Sequence, residues 1–179
     1  MSIGLSTLTQ TILTTIARTG CPISGVSIGD PNDPATWLIQ FDPAATQIQQ
    51  NAATAAVAAI NLTAITQLSQ QGAILAAGLA LTSTGTPALN ATYGVDDATY
   101  GLILGEMIYI LNSATFHNGT TTNLKWMTIN GAIVTFPTIA KFKAYAGAVF
   151  AYRLNIQAVS IQLAAGTVVA WPLASATIA

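Results

Sequence analysis

No charged residue occurs between Asp42 and Asp96. A run of that length without Asp, Glu, Lys or Arg leaves two choices, since uncharged chain either enters a bilayer or packs closely against other protein. The apolar runs inside it decide against a bilayer. Ala73–Leu81 is well short of the ~18–20 residues that a spanning helix needs, and the Ala52–Ile60 run is mostly alanine flanked by Gln and Asn. No positive flank sets an orientation, and Met1–Ala17 has no basic region of the kind that opens a signal peptide. No membrane span is expected, although mean hydropathy is +0.57.

The same scarcity runs through the whole chain. Charged residues are 6% of its 179 positions, against roughly a quarter in ordinary domains. Hydrophobic residues, at 52%, are near the usual share, so Thr, Asn, Gln, Ser and Ala stand where charge would be. Disorder is excluded, because it combines low hydrophobicity with high net charge. Nucleic acid is excluded as a partner: net charge is −1, and Arg18, Lys125, Lys141, Lys143 and Arg153 form no basic run. A surface with so little charge lacks the repulsion that keeps monomers apart, which points to a homo-oligomer, a trimer or hexamer being favoured.

The expected fold class is α+β, with four to five helices, two β-hairpins at about 25–41 and 124–136, and an extended C-terminal arm. Leu5, Leu8, Ile12, Leu13 and Ile16, with Ile3 before them, recur near helical spacing over about Ser6–Arg18, and Gly20 is placed to stop the helix. An extended arm is the alternative for this segment. Val26–Ile28 and Ala35–Phe41 flank Gly29-Asp30-Pro31-Asn32-Asp33-Pro34, a hexad of turn formers, with Trp37, Ile39 and Phe41 on one strand face. Asp42 and Pro43 read as the cap and first residue of a helix through Asn61, whose stripe would be Ile48, Ala52, Ala55, Ala56, Ala59 and Ile60. A second helix would cover about Thr63–Ala80; the two could equally be one helix bent near Asn61.

Ser83–Tyr93 reads as a loop. Asp96 or Asp97 then caps a helix over about Ala98–Asn112, with Tyr100, Ile103, Leu104, Met107, Ile108 and Leu111 apolar. Asn130-Gly131 between two alternating runs predicts a tight hairpin with φ > 0 at both turn positions. Thr135 or Thr138 caps a last helix running to about Gln162, and Val168–Ile178 is extended and apolar. In segments, 1–24 is an N-terminal helix or arm, 25–164 a single α+β domain, and 165–179 an extended apolar arm that needs a surface to lie on.

No catalytic, cofactor-binding or metal-binding residues are identified, and the chain is expected not to be an enzyme and to need no cofactor. G-x-S-x-G, P-loop, H-E-x-x-H and dinucleotide fingerprints are missing from the sequence. His117 is the single histidine, Cys21 the single cysteine and Glu106 the single glutamate. Cys21 reads as a small buried or half-buried residue, and Glu106 as exposed on its helix or bonded to a neighbour's amide. Asp30 and Asp33 are too few ligands for calcium, and the adjacent Asp96 and Asp97 do not face one another.

The segment Gly25–Thr46, GVSIGDPNDPATWLIQFDPAAT, resembles the opening of small bacteriophage tail-region proteins, in which a tryptophan strand leads into an Ala/Gln-rich helix. Gly78–Tyr93, containing STGTPALNATY, is similar to a second block of that group. Trp126–Arg153 is similar to its downstream aromatic hairpin and helix. The group is related to an uncharacterised domain found beside or inside tail-fibre and tail-fibre-assembly proteins of bacteriophages and prophages. The likeness covers about Gly25–Gln162 and rests on turns and caps. Leu38 and Gln40 stand where a basic and an acidic residue are common, and the apolar stretch after Gly166 is a further departure.

The resemblance implies a virion structural protein of the tail, tail tip or fibre-attachment region, assembled in the host cytoplasm, with copies of itself and other virion proteins as partners. The alternatives are a tail-fibre assembly chaperone, or a capsid decoration or receptor-binding module whose exposed Tyr and Trp would contact glycans.

Overall fold

The structure, a computed structural model, describes residues 5–179, so the place of Ile3 in the first apolar stripe lies outside the described residues. The architecture is α+β, as expected. Its residues group into two compact units: the chain up to Gln70 with Ser160–Val169, and Gln71–Val159 with Ala170–Ala179.

In the first unit, helix α1 (Leu5–Arg18) buries Leu8, Ile12 and Ile16, one residue per turn. Leu5 and Leu13 are exposed, so the buried stripe is narrower than the periodicity suggests. Gly20 follows at φ +68°, the left-handed geometry that ends a helix. Strands β1 (Ile23–Ser27) and β2 (Leu38–Phe41) then pair antiparallel, Val26 opposite Ile39. Their loop is closed by its own polar groups. Asp30 accepts from Asn32 N at 2.8 Å, Asp33 accepts from Ala35 N at 3.0 Å, and the buried Trp37 donates its indole N–H to the Asp30 carbonyl at 2.7 Å.

Helix α2 runs over Gln47–Ala58 and not from Ala44. The Asp42 side chain accepts from Ala44 N and its carbonyl from Ala45 N, making a local turn. The start is set by a capping box in which Thr46 accepts from Gln49 N and Gln49 Oε1 accepts from Thr46 N at 2.9 Å. The face is also corrected. Ala53 and Val57 are buried, while Ile48 is 82% exposed and Ala52, Ala55 and Ala59 face solvent. The expected second helix is two short ones, α3 (Leu62–Leu68) and α4 (Gln71–Ala77). Asn61 caps α3 through Ala64 N, and its amide also donates to Gly166 O at 2.9 Å.

The second unit begins at α4. Gly78, at φ +79°, turns the chain into β3 (Leu79–Ser83), where helix or loop is the sequence expectation. β3 is the centre of a three-stranded sheet ordered β4-β3-β7. β4 (Ala91–Tyr93) pairs antiparallel and β7 (Ser175–Ile178) pairs parallel, Ser83 opposite Ile178. Leu79, Leu81 and Ser83 point inward from it in strict alternation. The C-terminal stretch is therefore extended, but its last residues are a strand of the chain's own sheet.

Helix α5 (Asp97–Ser113) is capped by Asp96, which accepts from Thr99 N at 2.8 Å, and ends with Ala114 in the left-handed region at φ 56°. The hairpin of β5 (Leu124–Met127) and β6 (Ile133–Phe136) stands where it is expected. Its turn is wider than the dipeptide signal. Thr128–Ala132 connects the strands, only Gly131 has positive φ, and Asn130 serves through its side chain, accepting from Thr128 Oγ1. Helix α6 (Ile139–Ala164) starts with Thr138 accepting from Lys141 N.

Each unit has its own core. The first gathers Leu8, Ile12, Ile16, Cys21, Trp37, Ala53, Val57 and Ile65. The second is aromatic. Phe142 and Tyr145 of α6 sit among Tyr93, Phe116, Trp126 and Phe136, with Tyr93–Tyr145 centroids at 4.7 Å and Phe136–Phe142 edge-to-face at 5.3 Å.

Candidate functional site

With six carboxylates in the chain, the use of each can be followed. Asp30, Asp33, Asp42 and Asp96 accept from main-chain amides two or three residues ahead. The backbone bond from Thr99 holds the Asp96 carboxyl below the usual range. Asp97 pairs with Arg153 Nη2 at 2.5 Å, and Arg153 Nη1 donates to Val95 O at 2.6 Å. The Arg153 guanidinium carbon also lies 4.4 Å from the centre of the Tyr100 ring. The adjacent aspartates thus have separate tasks, Asp96 capping α5 and Asp97 tying that cap to α6.

Glu106 departs from the expectation of an exposed side chain. It is 6% exposed, on the inner face of α5 with Ile103 and Ile110. Its carboxylate reaches the loop beyond the helix, accepting from His117 N at 3.0 Å with Oε1 and lying 2.5 Å from His117 Nδ1 with Oε2. The amide partner is therefore eleven residues on in the same chain, and the imidazole is a second one. A buried carboxylate needs such partners, because an unpaired one costs several kcal/mol to desolvate. Glu106 holds the loop in place, and the His117 side chain remains 63% exposed.

Among the described residues no three of His, Cys, Asp and Glu come together to hold a metal ion. Cys21 is buried, in line with its reading as a small core residue. The aromatic side chains go mainly to the second core. Burial pushes the Tyr93 hydroxyl up to about 12 and raises those of Tyr145 and Tyr152 as well. Tyr100 has Phe150 against its ring at 5.3 Å and Arg153 over its face, so a sugar stacking there would displace one of them.

Two grooves indent the units. In the first, about 490 Å³ lies between the hydroxyl-rich side of α1 (Thr7, Thr11, Thr15), Ile65 and Leu163. In the second, about 360 Å³ is bordered by Gln71, Tyr100, Arg153 and Gln157. Both are open troughs with one cation each, Arg18 and Arg153, and Arg153 has its partners already.

Large apolar side chains are exposed in each unit. Leu38, Ile48, Leu102, Leu111, Met127, Ile133, Leu154, Ile161 and Leu173 are each more than 60% exposed. No single helix among the described residues is long and apolar enough to cross a membrane. No protein-family model, curated protein or solved structure matches the chain.

Proposed function

We propose that this chain is a non-enzymatic structural subunit of a bacteriophage particle, in the tail, tail tip or fibre-attachment region, working by packing against copies of itself. The observation that carries the reading is exposed apolar surface without charge to guard it. Nine large apolar side chains stand more than 60% exposed in a chain that is 6% charged. A free monomer with that surface associates, and regulated association is what a subunit of an assembly does. The likeness of Gly25–Gln162 to phage tail-region proteins supplies the setting, with a trimer or hexamer as the favoured state and the virion as the destination.

The test is the composition of gradient-purified particles by quantitative mass spectrometry. The reading expects the chain in the particle at a small multiple of three or six. Its absence from intact particles overturns the reading, and absence combined with binding to fibre protein in the infected-cell extract indicates an assembly chaperone. Hundreds of copies per particle also overturn the tail placement, in favour of capsid decoration.

A further inference from the structure

Helix α5 is apolar on both faces, a pattern that belongs to helices covered on both sides. Its inner face carries Ile103, Glu106 and Ile110. Its outer face carries Leu102, Leu104, Ile108, Tyr109 and Leu111, exposed by 67, 38, 58, 42 and 72%. After Asp97 that outer face has no charged residue. The exposed side chains are also arranged. At 100° per residue, Gly101, Gly105, Ile108 and Asn112 form its central line, with Leu102 and Tyr109 along one flank and Leu104 and Leu111 along the other. A Cβ added at Gly101 or Gly105 would meet nothing within 4 Å, so the two glycines make an open notch between apolar ridges.

From this geometry we infer that the outer face of α5 is a self-association surface, on which α5 of a second copy crosses antiparallel about a two-fold axis between Gly105 and Ile108. The inference rests on the reading of the chain as a self-associating subunit and gives that reading its contact: a hexamer built of paired trimers has two-fold axes and a trimer has none, so this contact selects the hexamer. Three observations select a second copy as the occupant. First, knob and notch are both present on this one face, since Ile108 stands one turn beyond Gly105, which is what a two-fold contact between identical surfaces requires. Each Ile108 enters the other copy's glycine notch, and the axes approach inside the usual ~8–10 Å. Second, a face without charge does not repel its own copy. Third, the area suffices: taking roughly 180 Å² for a fully exposed large side chain, the five contribute roughly 500 Å² per copy and about 1,000 Å² per pair, the size at which specific interfaces begin. The outer side of the β5–β6 hairpin, with Met127, Ile129 and Ile133, has fewer large exposed side chains, and its glycine, Gly131, lies in the turn and not between ridges of a helix.

The experiment uses the full chain and Gly105→Leu. A Cβ at position 105 meets nothing within 4 Å and the change removes a helix glycine, so the variant should match wild type in circular dichroism and melt no lower. By analytical ultracentrifugation over a concentration series, wild type should form dimers or even-numbered oligomers, and Gly105→Leu should weaken the pairing by about tenfold or more. Leu111→Gln, at a side chain 72% exposed on the flank, should act in the same direction and serves if the glycine variant folds poorly. Wild type that stays monomeric throughout overturns the inference, including where another virion protein proves to cover this face. Wild type that associates equally well with both substitutions also overturns it, and leaves the structural-subunit reading to be judged on particle composition.

Discussion

The two units of this chain reach a folded state with different materials. The first has an aliphatic core in which α1 sets Leu8, Ile12 and Ile16 against alanine, valine and a single tryptophan. The second concentrates rings: all five tyrosines and four of the five phenylalanines fall in it, and Phe142 and Tyr145 touch most of the buried ones. Alanine helices bury little area per residue, so the first unit depends on caps and turns closing well. The second depends on a few large side chains that cannot be trimmed. Local polar chemistry stabilises one and ring packing the other.

Removing a ring should separate the units most. Phe142→Ala should destabilise the second unit by about 3–5 kcal/mol, seen as an early urea transition in its near-UV signal. A single concerted transition shifted equally in both units would break the comparison. Alkali should come next. Tyr93, Tyr145 and Tyr152 have raised folded-state values, so the neutral hydroxyl is the stabilised form. Their contribution is intact below pH ~10 and lost above it, at up to about 1.4 kcal/mol per pH unit for each tyrosine. Spectroscopic titration of tyrosinate should show the second unit melting between pH ~10 and ~12, while the first unit, without tyrosine, does not follow the same ionisation.

Glycine replacements give a smaller contrast. Gly78→Ala combines positive φ with a Cβ 2.5 Å from Tyr93 O and should cost about 2–3 kcal/mol. Gly20→Ala has positive φ but open space around it and should cost about 1 kcal/mol. Equal losses in thermal melts would show that packing around Gly78 is immaterial. The smallest effect expected is that of Thr46→Ala. Loss of the capping box should lower the stability of the first unit by about 1 kcal/mol, readable as faster amide exchange at the start of α2.

Those contrasts also explain what the amino-acid order reveals. Signals read over three or four residues are reliable here: Gly20 ending α1, Asp96 and Thr138 starting α5 and α6, the turn hexad before Trp37, and the two hairpins. The box Thr46-x-x-Gln49 is legible too, although Asp42-Pro43 three residues earlier imitates a start. Features fixed by distant partners are not. Leu79–Ser83 continues an Ala/Leu pattern and becomes a strand only because Ala91–Tyr93 and Ser175–Ile178 flank it. On α2 hydrophobicity alone selects Ile48, whereas packing selects Ala53 and Val57, whose small side chains fit the core. Burial of Glu106 depends on where a loop eleven residues on places His117.

The position of β7 has a consequence for how the protein is made. Synthesis proceeds from the N-terminus, and Thr84 N finds its acceptor at Ile178 O, 94 residues later. At about 5–20 residues per second, β3 waits roughly five to twenty seconds with one edge open. The core of the first unit needs no such wait, since its residues lie between Leu8 and Ile65. The second unit completes its sheet only after β7 has been made. Until then β3 offers an unpaired edge, which in a chain with so little charge has no like-charge repulsion to guard it.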